Sequence, residues 1–368
     1  MDNQPTDGIL EEFRIQFLEC WHRLPNRGFF FILLAAWLAL FQFFGNATLG
    51  YIHTPSLLRW MYNAYQPPVE HSTTDDAHGL LVPFVVLALF WWKRQQLMAL
   101  PLQTWWPSLG LVGLGLVLHV AGYSLQEARI SIIGMFTGIY GLMGLAWGLA
   151  WLRGSFFPFV LFAFSVPLGS LAEPVTFPLR ILVCRLVEFV SHYILMIDVQ
   201  RVGTQLFAPP DPANPAGQYQ YDVAPACSGM RSLIATVGMA VIYGVLSFPS
   251  WWRRLALIAS AFPLAALGNL VRLLTIIIAA EIGGQKAGNA VHEGGPGGIY
   301  SLLPYIPAFA GLLLLGHWLG EAGVRPSRGA APPIGSPTAV SPPAPKQAEV
   351  AAPENEGAPL GGSQKVRT

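Results

Sequence analysis

"PLRILVCRLVEFVSHYILMI", residues 178–197, is long enough to cross a bilayer, and whether it crosses decides the topology of everything after it. A helix here sets Arg185, Glu188 and His192 at i, i+3 and i+7 on one face, with Ser191 beside them. A span surrounded by lipid does not carry such a polar stripe, whereas an amphipathic helix in the membrane interface does. The loops agree. Arg153 precedes the apolar run 156–172, "FFPFVLFAFSVPLGSLA", and Arg253 and Arg254 precede the run 255–280. Basic residues in short loops mark the cytoplasmic side. If 156–172 crosses outward and 230–248 returns, 178–197 cannot cross as well. It is therefore assigned to the outer membrane surface or to a cavity wall.

Composition sets the class. Of 368 residues, 53% are hydrophobic and 11% charged, and mean hydropathy is +0.47. Water-soluble domains carry about 25% charged residues, so the chain is read as an integral membrane protein. A net charge of +1 excludes a strongly basic nucleic-acid surface. Three cysteines, Cys20, Cys184 and Cys227, form neither a disulfide framework nor a C-x-x-C metal pair. Segment 1–28 is acidic as well as basic, so the run that follows reads as an uncleaved span.

Apolar runs at 29–46, 79–92, 107–124, 131–152, 156–172, 230–248, 255–280 and 299–320 give about eight spans. Arg23, Arg27, Lys93, Arg94, Arg153, Arg253, Arg254, Arg325 and Arg328 then lie inside, and the loops 47–78 and 282–298 outside. Segment 198–226 holds two short extended pieces around a Pro/Asn/Gly turn cluster and reads as a small outward hairpin. The expected fold is an all-α integral membrane protein of about eight transmembrane helices, one interfacial amphipathic helix and this hairpin. Its parts are a cytoplasmic amino-terminal segment 1–28, a membrane domain 29–322, and a disordered Pro/Ala/Gly-rich cytoplasmic tail 323–368. The glycine ladder Gly138, Gly141, Gly144 and Gly148 reads as a helix-packing face.

With 198–226 outside, Cys227 in "APACSGMRSL" (224–233) opens an inward-going helix just beyond the bilayer. The unpaired N–H groups and dipole of a helix start stabilise a thiolate. Arg231 falls on the same face and adds a full positive charge. Ser228 is placed to cap the helix, and Gly229 lets another backbone come close. A free cysteine also packs as an inert small side chain, and these ten residues alone leave both readings open.

Three further stretches belong to the outer side. In "GNLVRLL" (268–274), Arg272 lies inside an apolar run, about 12 Å below its outward end, with Asn269 one turn earlier to hold its guanidinium. Such an arginine is functional or a structural counter-ion, here to Glu173 or Glu188. In "NAVHEGGPGGIY" (289–300), His292 and Glu293 precede glycines and a proline that let the loop turn sharply; a lone loop histidine is also often merely solvated. In "DDAHGLLVP" (75–83), Asp76 and His78 sit at the outer end of the second span. No H-E-x-x-H or other i, i+4 ligand pair supports a metal, and no cofactor is expected.

Taken in order, "ACSGMRSL", "NLVRLL" and "HEGGPGG", with the upstream "DDAHGLLVPFVVLALFWWKR", resemble the exosortase/archaeosortase family over roughly 29–320. The resemblance implies a multi-pass cysteine transpeptidase of the bacterial inner membrane, its active site facing the periplasm. Its substrates would be membrane-anchored proteins with carboxy-terminal sorting signals of the PEP-CTERM type. Carried over, Cys227 is the nucleophile, Arg272 the essential arginine and His292 the histidine, with Arg231 part of the cysteine motif. The competing reading is a transporter or exopolysaccharide-export component with Arg272 on its path; that predicts midplane charge pairs and repeated broken helices, which the sequence lacks. A non-catalytic scaffold in which Cys227 only packs is the third.

Overall fold

A computed structural model describes residues 6–66, 76–210, 212, 217–223 and 230–321. Among them the chain forms twelve α-helices: α1 Thr6–Arg23, α2 Arg27–Phe44, α3 Leu57–Tyr65, α4 Val82–Trp92, α5 Arg94–Met98, α6 Leu109–Leu125, α7 Ala128–Trp147, α8 Leu149–Val160, α9 Glu173–Tyr193, α10 Met230–Ser247, α11 Trp251–His292 and α12 Tyr305–Glu321. The expected tail and the stretch around Cys227 lie outside the described residues.

Among the described residues, five helical stretches are long and apolar enough to cross a membrane: Arg27–Phe44, Trp106–Leu125, Ala128–Trp147, Trp251–His292 and Gly298–Gly320. Three more apolar helices, Ala77–Trp92, Leu149–Ser165 and Ser232–Ser247, stand where spans were expected but are shorter. The protein is therefore a multi-pass membrane protein with five full-length candidate spans. The expected run 131–152 is in fact two helices. Gly148 adopts φ 94° and ψ 177° between α7 and α8, and a Cβ there would come within 2.3 Å of the Gln103 carbonyl oxygen. Hydropathy hides this turn because both sides of it are apolar. Arg153, expected in a loop, lies within α8.

Glycine sets the closeness of α6 and α7. A Cβ on Gly115 would meet the Gly134 carbonyl oxygen at 2.7 Å and the Gly138 nitrogen at 2.9 Å, so the two backbones touch directly. Ser108 donates to the Gly141 carbonyl across the same seam. Small residues permit such packing inside lipid, where no hydrophobic gain drives helices together.

α10, α11 and α12 form a second group around Ala240, Leu257, Ala261 and Leu312. α9 packs lengthwise on α11 and on a three-stranded antiparallel sheet, β1 Gln200–Val202, β2 Gln205–Phe207 and β3 Gln220–Asp222, in the order β1-β2-β3. The expected hairpin across the turn cluster is thus β2 and β3, and the first extended piece itself folds back, adding β1 as a third strand. The outward stripe of α9 is as expected for Arg185 and His192, which are exposed, but Ser191 is fully buried. Neither α9 nor its sheet meets the criteria of a span.

The length of α11 explains the cap. Its unbroken part, from Trp251 to the residue before Gly283, is 32 residues and about 48 Å long, well beyond a bilayer core of about 30 Å. The exposed Trp251 and Trp252, followed by Arg253 and Arg254, mark one membrane interface. From there about 20 residues traverse the hydrocarbon, and the remainder, with Leu273, Ile276, Ile277 and Ala280, is buried against α9 and the sheet.

Gly115→Ala is expected to destabilise the protein by about 1–3 kcal/mol because its methyl meets backbone that cannot move aside. Gly110→Ala on the same helix meets nothing within 4 Å and serves as the control. Thermal unfolding of both variants in detergent checks this; equal midpoints would contradict it.

Candidate active site

α11 does not run straight to its end. Gly283 (φ −127°, ψ 16°) and Gly284 (φ 67°, ψ −173°) break it, and the second of these conformations is open to glycine with little strain. Residues 285–292 turn back as a short helical segment alongside the helix they came from. The return is tight: a Cβ on Gly288 would lie 2.8 Å from the Ala280 Cβ and 1.9 Å from the Tyr221 hydroxyl. The sheet holds the segment in place. The Gln220 N–H donates to the Gln285 side chain at 2.8 Å, and the Gln218 side chain donates to the Glu281 carbonyl at 3.3 Å.

This return brings two of the sequence-predicted residues together. Arg272 Nη2 donates to the backbone carbonyl of His292 at 3.3 Å. The expectation that His292 sits in the outward loop after the helix is corrected: it ends the return helix, its ring stacked on Tyr221 of β3 at 6.3 Å between centroids and 25° between planes. His292 lies past the glycine break, outside the spanning part of α11. Burial holds its imidazole below the ordinary range, and the Arg272 charge pushes in the same direction while Glu293 opposes it. The ring is therefore neutral near pH 7 and free to accept a proton.

α10 runs antiparallel to α11. Gly244 faces Arg254 and Leu257, and Leu233, Ile234 and Val237 share a cavity wall with Phe262. Continuing that register sets Met230, the first residue of α10, opposite about residue 268. The helix that follows the cysteine motif thus starts about one turn from the level of Arg272. Cys227, Ser228 and Gly229 lie outside the described residues, as does the side chain of Arg231.

The other predicted residues have different surroundings. Asn269 is 1% exposed, and neither its amide nitrogen nor its oxygen has a hydrogen-bond partner among the described residues. It does not hold the Arg272 guanidinium, contrary to expectation. Glu173 and Glu188, the carboxylates considered as counter-ions for Arg272, lie instead beside Arg180 at 3.5 Å and Arg201 at 2.9 Å. Glu293 is exposed and follows the return helix, its N–H donating to the Asn289 carbonyl at 2.8 Å. Asp76, 2% exposed, accepts the N–H groups of Leu168 and Gly169, both at 3.2 Å. Its carboxylate ties the start of the α4 region to the turn before α9. His78, near it, borders a largely apolar cavity of about 400 Å³ with Phe164, Thr176, Leu233 and Phe262.

Cys184 is fully buried in α9, and desolvation pushes its thiol up to about 11, so it is not a thiolate near neutral pH. Cys20 lies in α1, in an aromatic-lined groove with Trp21 and Trp91. Sequence reasoning missed Tyr221 and Gln285, whose contacts arise only once the sheet and the return helix meet, and the 400 Å³ cavity, which forms where the 163–176 stretch meets α10 and α11. It also passed over Arg180, whose signal was present: a charged residue on the otherwise apolar side of α9.

Residues 71–318 match the family model of the transmembrane exosortases. No curated protein and no solved structure matches the chain. Two thirds of the chain fits that one model, over the stretch that holds the Arg272–His292 pair, α10 and the cavity, and the protein belongs to the transmembrane exosortase family, whose members are peptidases or transpeptidases.

Proposed function

We propose that this protein cleaves carboxy-terminal sorting signals of the PEP-CTERM type from membrane-anchored proteins through an acyl-enzyme on Cys227, at the outer face of a bacterial inner membrane. The observation that carries the reading is the contact of Arg272 with the His292 carbonyl, about one turn from the level where α10 begins. Family membership supports the class of reaction. The basic residues of the short loops support the orientation.

In this mechanism His292, neutral at rest, takes the Cys227 proton, giving a thiolate and an imidazolium. The sulfur attacks the scissile carbonyl carbon, and the oxygen becomes an oxyanion. Arg272 stabilises that charge, because a guanidinium stays protonated throughout and its contact with His292 is partly buried. The C–N bond breaks as the imidazolium gives its proton to the leaving amine. A thioester remains on Cys227. An acceptor nucleophile then attacks it, His292 takes the acceptor's proton, and the proton returns to the thiol.

Cys227→Ala is expected to abolish processing, so that mass spectrometry of surface-protein carboxy termini finds the sorting signals intact. Unchanged termini in the variant would contradict the reading. Arg272→Gln should lower the rate about 10²–10³-fold, as loss of one oxyanion donor does. The pH profile gives a separate check. Because the His292 pKa is lowered, the rate should fall only as pH drops below the ordinary histidine value of about 6.5. Removing the Arg272 charge relieves part of that depression, so Arg272→Gln should move the acid limb to higher pH; an unmoved limb assigns the limb to another group.

A further inference from the structure

α9 and α11 lie side by side, and each turns one regular stripe toward the other. On α11 the stripe runs Phe262, Ala266, Asn269, Leu273, Ile276 and Ala280 at helical spacing. On α9 it runs Thr176, Arg180, Val183, Val187 and Ser191, all buried. At one end of the interface Thr176 and Phe262 border the same cavity, and further along Val183 and Val187 share a core with Leu273 and Ile276. Helical spacing places Arg180 and Asn269 between these two sets of contacts on their respective stripes.

Both are buried polar groups left unserved. Arg180 is 5% exposed, and its Nε and Nη2 make no hydrogen bond among the described residues. Its contact with Glu173 is long, 3.5 Å, and reaches a carboxylate side chain that is 54% exposed. Phe177 lies under its guanidinium at 5.3 Å. Asn269 is 1% exposed, with its donor and its acceptor both unused. Leaving such groups unpaired is costly, and a folded protein tolerates it where a ligand completes the set.

The location says what completes it. On one side is the apolar cavity of about 400 Å³, into which Leu233 and Ile234 project from the first turns of α10. On the other, three residues along α11, is Arg272 with its His292 contact. A peptide running from the cavity to Arg272 passes between Arg180 and Asn269. A guanidinium with two free N–H groups is complementary to a carboxylate. An amide offering one donor and one acceptor is complementary to a backbone peptide group.

We propose that Arg180 and Asn269 form a specificity subsite that binds an acidic residue of the peptide substrate, Arg180 taking its carboxylate and Asn269 an adjacent backbone amide. The proposal rests on the peptide-processing reading above and adds a residue-level basis for substrate choice. A lipid phosphate is disfavoured, since the pair lies in a helix–helix interface and a phosphate leaves the Asn269 acceptor unused.

The test measures binding without cleavage, in full-length protein carrying Cys227→Ala and held in lipid nanodiscs. Probes are fluorescein-labelled peptides with an apolar segment and a single Glu stepped through successive positions, each matched to a Gln twin; anisotropy reads binding. At one position Glu should bind about tenfold or more tightly than Gln, as a desolvated charge-assisted pair discriminates. Arg180→Gln should erase that preference, and Arg180→Lys should keep part of it. Asn269→Asp, which supplies a carboxylate to Arg180 from within, should erase it too while melting no lower than the parent. That variant keeps the test open if Arg180→Gln fails to fold. Equal binding of Glu and Gln at every position would overturn the proposal. So would a preference that survives both variants, or displacement of the Glu peptide by phosphatidylglycerol together with stabilisation by that lipid that depends on Arg180. Cleavage plays no part in the readout, so failure of the cysteine chemistry, seen in carboxy-terminal mass spectrometry, is scored separately.

Discussion

A guanidinium set in an apolar helix needs acceptors, and Arg272 has one in the His292 carbonyl only because α11 doubles back at Gly283 and Gly284. A straight continuation of the helix carries residue 292 about 30 Å away from residue 272. The glycine break therefore does more than end a span. It brings the histidine to the arginine, sets Tyr221 against the imidazole, and lets the sheet grip the return segment through Gln285. The cap of α9 and three strands is the counterpart of this reversal, since it buries the part of α11 that has outrun the bilayer.

The site then has an order along one helix. The apolar cavity comes first, the buried polar pair Arg180 and Asn269 next, and Arg272 with His292 last. A membrane-embedded peptidase must accept a chain that is largely apolar and act on it where the chain meets the interface. An apolar entrance leading to polar groups near the end of a span meets that demand. Burial, reinforced by the Arg272 charge, lowers the pKa of the nearby imidazole, which suits the histidine to the proton-moving role proposed for it.

The sequence made part of this readable, for identifiable reasons. Apolar runs are a strong signal, so the sequence locates all eight apolar helices of the described residues, three of them shorter than a full span. The turn at Gly148 was not, because a positive-φ glycine between two apolar segments leaves hydropathy unchanged. The end of α11 differs from the expected one because apolarity stops near Ala280 while helical geometry continues to Ile282 and resumes after the Gly283–Gly284 break, supported by contacts with a sheet that no local pattern announces. Arg272 and His292 stood out as an arginine in an apolar run and a histidine before glycines. Their contact needed the chain reversal. Arg180 escaped because attention went to the polar stripe at Arg185, Glu188 and His192, while the same helix hid a charge on its buried side.

The central claim is that Cys227 is an activated thiol on the outer face, served by His292 and Arg272. Its reactivity reports this directly. In intact spheroplasts, with Cys20 replaced by serine and Cys184 buried, the labelling rate of Cys227 by a membrane-impermeant thiol reagent is measured at pH 7. Fast labelling is expected, slowed markedly by His292→Gln and by Arg272→Gln, because each variant removes a group that favours the thiolate. A Cys227 that stays unlabelled from outside, or labels at the same rate in all three proteins, would contradict it.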